Sequence, residues 1–131
     1  MSTKQVIIVR RDIRMRRAEM VATAAKASVS FLVDNNESEH HDELQLKLTP
    51  DESAWLFGNS KRVILGVQSE SALRSIMLQA ELDGLTVCPQ YRGMRLDESK
   101  SDYCYEQLVC VAIGPHDEEA IDAITSNLKL I

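Results

Sequence analysis

Five arginines, Arg10, Arg11, Arg14, Arg16 and Arg17, stand directly after the apolar run Val6-Ile7-Ile8-Val9 and before an alanine-rich stretch that starts at Ala18. Cations in that number at the exit of a buried strand suit an anionic ligand, because strand exits in α/β sheets are where ligands collect. The charge of the whole chain is −5, yet residues 1–30 hold a net +5 and the remainder −10. Such a dipole lets one basic face meet a polyanion while the rest of the molecule stays soluble. A solvated charge run at the start of a helix is the plainer reading of the same residues.

Other chemistry-bearing residues are sparse. Cys88, Cys104 and Cys110 form an odd set without CxxC spacing, which suggests neither a disulfide framework nor a zinc site. A reducing cytoplasm is the simplest home for them. His40 and His41 stand beside Asp42, but adjacent histidines point apart and no further ligand cluster follows, so no metal is expected. Trp55 reads as a core anchor rather than a stacking platform for a base. No apolar run reaches the length of a membrane span, and the start shows no secretory segment, so a soluble protein that meets no membrane is expected.

The 131 residues suffice for one domain with a proper core. The run Val6–Val9 is bounded by charge and reads as a short buried strand, followed by a helix through Val33. Residues Asp34 to Glu43 are polar throughout and read as a mobile surface loop. Thr49-Pro50-Asp51-Glu52 is a helix start with a threonine cap, proline in the first turn and acids behind it. The helix stops near Gly58, and Lys61–Val67 is a second strand. Ser69-Glu70 opens another helix, with Leu73, Ile76, Met77 and Ala80 on one face and Gly84 as a left-handed cap. Leu85–Cys88 is a third strand whose end Pro89 confines to an edge or a turn.

From Gln90 to Glu106 the chain reads as a long irregular loop, a candidate functional segment. Leu108–Ile113 is continuously apolar, the pattern of a strand covered on both faces. Gly114-Pro115 turns the chain, Asp117 caps a last helix, and Leu128–Ile131 is a short extended segment. The order β-α-α-β-α-β-β-α is that of a single small α/β domain with a mixed sheet and helices on its faces.

These residues carry a resemblance. KQVIIVRRDIRM, the alanine-rich helix, Trp55 to Gly58 with the strand KRVILGV, Ser69-Glu70, DGLTV, VAIGP, IDAIT and LKLI resemble the type II peptidyl-tRNA hydrolases, the archaeal and eukaryotic kind, in family order from Lys4 to Ile131. The resemblance implies a mixed sheet of about four strands flanked by helices. It implies hydrolysis of the ester joining a peptide to the terminal ribose of tRNA, in the cytoplasm and without metal or organic cofactor. Such a reaction needs an activated water, a donor for the oxyanion and cations along the acceptor-stem phosphates. Arg11, Arg14, Arg16, Arg17 and Lys100 are the cations expected to meet tRNA, and a homodimer is one form the protein could take.

At the family's catalytic positions the chain departs. After the methionine matched by Met15 the family usually reads Gly-Lys-Gly-Lys, and its catalytic lysine falls on Glu19. Thr23 and Lys26 share the helix face of Glu19, but Lys26 lies about 10 Å along the axis, too far for its stem to restore the lost cation fully. The family's Asp-Ala-Gly-Arg-Thr run, counted back from Ile113, falls on Asp97-Glu98-Ser99-Lys100-Ser101. Counted forward from Leu85 it needs about five extra residues to get there, an offset that a variable loop can house. The resemblance thus implies Asp97 as the residue that orients water and Ser101 as a hydrogen-bond donor, with Glu19 and Lys26 beside them. The alternative is a catalytically degenerate member that binds tRNA or a protein partner without hydrolysis, because a carboxylate at position 19 removes a donor and repels phosphate.

Overall fold

Val6, Ile7, Ile8 and Val9 lie at 0–2% exposure in the middle of β1 (Thr3–Arg10), where β-branched side chains pack well on both sides of the pleat. The computed structural model describes residues 2–97 and 102–131, with the backbone alone at 94–97 and 102–106. The remaining elements are α1 (Arg17–Asp34), α2 (Pro50–Leu56), β2 (Arg62–Val67), α3 (Glu70–Leu82), β3 (Val87–Asp97), β4 (Asp102–Asp117), α4 (Glu118–Thr125) and β5 (Lys129–Leu130). They form one five-stranded sheet in the order β3-β4-β1-β2-β5. The pair β1 and β2 is parallel; every other pair is antiparallel. The result is the single small α/β domain with a mixed sheet that the patterning implied. The fifth strand arises because Lys129 and Leu130 pair with Gly66 and Leu65.

Alternation along β1 and β4 sends side chains to two cores. Val6, Ile8, Val111 and Ile113 meet Leu73 and Ala80 of α3 and Ile121 of α4 on one face. Ile7, Val9, Cys110 and Ala112 meet Ala27 and Phe31 of α1 and Trp55 of α2 on the other. Trp55 is 1% exposed, sets its ring edge-on to Phe31 with centroids 6.0 Å apart, and donates its indole N–H to the Lys61 carbonyl. It anchors the core, as expected. Thr49 and Glu52 close a reciprocal capping box at the start of α2, and the Ser69 hydroxyl accepts the Ala72 amide at the start of α3. Asp117 precedes α4 but makes no side-chain cap bond. Gly84 adopts φ +78°, the left-handed conformation that ends α3.

Three expectations need correction. The segment from Gln90 onward is not an irregular loop over its described residues. It is the outer part of a β3–β4 hairpin, with register pairs running from Val87–Ile113 to Asp97–Asp102. Edge strands need no apolar alternation to pair, because the neighbouring backbone supplies their hydrogen bonds. Gly114-Pro115 does not end the strand either: β4 continues through it to Asp117 and pairs with Lys4 and Thr3. The segment after α1 is an organised loop, in which the Asn36 side chain accepts the amides of Ser38 and Gln45. Such Asx contacts replace secondary structure in a polar segment.

A bulge interrupts the hairpin between Gln90 and Tyr91: Gln90 pairs with Cys110 but Tyr91 pairs with Leu108, leaving Val109 as the extra residue. Bulges re-aim the strand beyond them. Here Gln107 and Arg92, register partners just past the bulge, lie on the α1 face of the sheet.

Candidate functional site

The mouth of the sheet lies where β1 ends at Arg10. This first arginine is not part of an exposed surface. It is 8% exposed, donates to both oxygens of Asp12 at 3.0 and 2.7 Å, and donates to the Leu108 carbonyl at 3.2 Å. Glu70, 3.6 Å from the Arg10 guanidinium, accepts the Leu108 amide at 2.8 Å. Pairing between β1 and β4 ends at Val9 and Cys110, and two charged side chains from other elements take up the Leu108 amide and carbonyl instead, as buried backbone groups require. The guanidinium hydrogen bond holds the Asp12 carboxyl below its ordinary range. In turn, the same bond raises the already high value of Arg10.

The following arginines do face solvent: Arg11, Arg14, Arg16 and Arg17 are all exposed. Gly66 on β2 makes room for Arg11, since a Cβ there would come within 2.9 Å of the arginine's Cγ. Arg11 thereby rests between two grooves. One, of about 710 Å³, runs past Met15, Arg17, Met20, Val21 and Ile131. The other, of about 560 Å³, runs past Val67, Gln68 and Lys129. A cationic rim beside partly apolar grooves can take a polyanion along its edge and less polar groups below.

Glu19 sits in the first turn of α1, where the helix dipole favours a carboxylate. Its Oε2 lies 3.5 Å from Nη1 of Arg92, which reaches across from edge strand β3. The Arg92 guanidinium is held from two further sides. Nε and Nη2 donate to Gln107 Oε1 at 3.3 and 3.1 Å, and Nη1 donates to the Arg14 carbonyl at 2.9 Å. Both side chains keep contact with solvent, Arg92 at 34% and Glu19 at 41%. Further along the same seam, Gln90 donates to Ser30 Oγ at 3.1 Å. A fixed cation and a carboxylate thus stand together at the start of α1.

The structure brings Glu19 and the four rim arginines to one end of the sheet. Lys26 is exposed on α1, two turns further on. Asp97 ends β3 opposite Asp102. Its backbone lies five residues beyond Arg92 in the strand, about 16 Å at the usual rise. Lys100 and Ser101 lie outside the described residues. Arg92 and Gln107 were not singled out from the sequence, and Glu70 was read only as part of a helix start. No local signal points to Arg92, because its partners Arg14, Glu19 and Gln107 lie far from it in the chain.

The two cysteines whose side chains are described, Cys88 and Cys110, are buried. Burial pushes the thiols of Cys88 and Cys110 up to about 12, in Cys88 with help from the nearby Asp34 carboxylate. Neither is a thiolate near neutrality. His40 and His41 are exposed, and among the described residues no trio of His, Cys, Asp or Glu is placed to hold a metal. Nor does any helix among them have the length and apolarity to cross a membrane.

Comparison with known proteins places this geometry in context. The family model described as Peptidyl-tRNA hydrolase PTH2 matches residues 3–131. A protein of Haloquadratum walsbyi named peptidyl-tRNA hydrolase is 31% identical over 127 residues, covering 97% of this chain and 98% of that one. One of Methanococcus vannielii with the same name is 32% identical over 129 residues, covering 98% of each. A third, of Methanocaldococcus jannaschii, is 32% identical over 128 residues, covering 98% of this chain and 99% of its own.

Proposed function

The chain belongs to the Peptidyl-tRNA hydrolase PTH2 family, and we propose that the arginine-rich mouth of its sheet is where it hydrolyses the ester between a peptide and the terminal ribose of tRNA. The observation that supports this location is the rim of Arg11, Arg14, Arg16 and Arg17, exposed together beside the Glu19–Arg92 contact. Phosphate recognition needs such a rim, because counterions released from each neutralised phosphate supply most of the affinity. Lys100, which lies outside the described residues, is proposed as an additional phosphate contact. A cytoplasmic location, where translation supplies the substrate, goes with the same reading. A degenerate, purely binding protein is not favoured, since the relatives that match along their whole length are named as hydrolases.

The reaction asks three things of the chain: a carboxylate near the attacking water, a donor for the carbonyl oxygen, and cations for the acceptor stem. Water can be handled from two places. The resemblance proposes Asp97, with Ser101 as hydrogen-bond donor and Lys26 as an additional charge; the mouth offers Glu19. The deciding experiment for the activity itself is release of labelled peptide from a model peptidyl-tRNA. Turnover above the buffer blank is expected, and its absence at high protein concentration refutes the reading.

A further inference from the structure

We propose that Glu19 and Arg92 are the reacting pair: the Glu19 carboxylate takes the proton of the attacking water, and the Arg92 guanidinium holds the ester's carbonyl oxygen as it becomes an oxyanion. The inference rests on the hydrolase reading above and goes beyond it by naming which carboxylate and which cation act. Its first support is the way Arg92 is fixed. Three groups on β4, the β1–α1 loop and α1 hold one guanidinium in place: Gln107, the Arg14 carbonyl and Glu19. Preorganised donors stabilise developing charge best because they need not reorganise during the reaction.

The second support is the spacing. A closed ion-pair latch would bring nitrogen and oxygen to about 2.7–2.9 Å. Glu19 and Arg92 stand at 3.5 Å, and Nη1 makes its shorter contact, 2.9 Å, with the Arg14 carbonyl instead. The carboxylate therefore has lone pairs to offer a water, and both side chains are open to solvent. The third support is position. Glu19 lies in the turn of α1 that directly follows Arg16 and Arg17, so a phosphate chain held by the rim ends beside it. The backbone of Asp97 lies about 16 Å from that of Arg92 along β3, whereas Glu19 is in contact with the Arg92 guanidinium.

The step is complete without a cofactor. The water oxygen bonds to the ester carbonyl carbon as its proton passes to Glu19, and the carbonyl electron pair moves onto the oxygen facing Arg92. Collapse re-forms the carbonyl and breaks the bond to the ribose oxygen, which leaves with the proton returned by Glu19. The products are a peptide acid and tRNA with a free terminal hydroxyl.

The test is single-turnover peptide release, with binding of deacylated tRNA measured in parallel, for the wild type and for Glu19→Gln, Arg92→Gln, Arg92→Lys and Asp97→Asn. Glu19→Gln, which preserves shape, is expected to slow release about 100-fold or more. Arg92→Gln should cost about 100- to 1000-fold, with part of that returned in Arg92→Lys. For Glu19→Gln and Asp97→Asn, deacylated-tRNA binding should stay within about threefold, and Asp97→Asn should slow release less than Glu19→Gln does, since the proton of the attacking water does not pass to it. A merely structural latch would instead lower thermal stability and binding together. Release unaffected by Glu19→Gln, or abolished by Asp97→Asn alone, overturns the pair while leaving the hydrolase reading intact. No release by the wild type overturns both.

Discussion

Replacing Glu70 by alanine should unsettle both the fold and the site, because this carboxylate satisfies the bulge that aims Arg92. Three contributions can be sized. The Leu108 amide, in a residue with no exposure, loses its 2.8 Å acceptor, and an orphaned buried amide costs about 1–3 kcal/mol. The first turn of α3 loses a carboxylate that suits the helix dipole, worth roughly 0.3–1 kcal/mol. The Coulomb loss at Arg10 is small, since Asp12 still holds the guanidinium and Glu70 is a third exposed. Together these come to about 1.3–4 kcal/mol, or about 4–16 °C in melting temperature for a chain of this size. Scanning calorimetry at neutral pH reads this directly. Glu70→Gln keeps an acceptor oxygen and should lose less than half as much. Peptide release should also slow several-fold in the alanine variant. A Glu70→Ala protein that melts within about 2 °C of the wild type, or a glutamine variant equally damaged, would refute the reasoning.

Two other expectations follow from the same coordinates. Replacing Arg14, Arg16 and Arg17 by alanine should weaken deacylated-tRNA binding and flatten the logarithmic salt dependence by about one unit per arginine, read by filter binding over a series of KCl concentrations; an unchanged slope would remove the rim from the interface. Because burial raises the thiols of Cys88 and Cys110 to about 12, their contribution to stability is full below the ordinary thiol value and is lost as pH rises toward the folded one. The urea midpoint should therefore decline above about pH 9, and less steeply in a Cys88→Ser, Cys110→Ala variant, whose parallel decline would count against buried neutral thiols.

The legible parts of the chain were those whose signals are local. Val6–Val9 and Leu108–Ile113 are apolar on both sides because both sheet faces are covered, and Thr49 and Ser69 mark helix starts by the bonds their own hydroxyls make. The hairpin beyond Gln90 was misread because its polar residues pair through backbone on a sheet edge, where burial leaves no periodic imprint. The bulge could not be read at all: its stabilising groups, Arg10 and Glu70, are far from Leu108 in the chain. For the same reason Glu19 looked like the loss of a cation. Its neighbour Arg92 comes from a segment that seemed to have no regular structure.

The central claim is that the acceptor end of tRNA meets the chain at the start of α1 and the inner half of the β3–β4 hairpin. Titrating isotope-labelled protein with an acceptor-stem minihelix and following backbone amide resonances tests that location directly. Shifts should concentrate at residues 11–20 and 91–93 and leave the outer face of α3, around Leu78 and Leu82, unmoved. Shifts confined to α3 and α4, with the α1 start silent, would contradict the account.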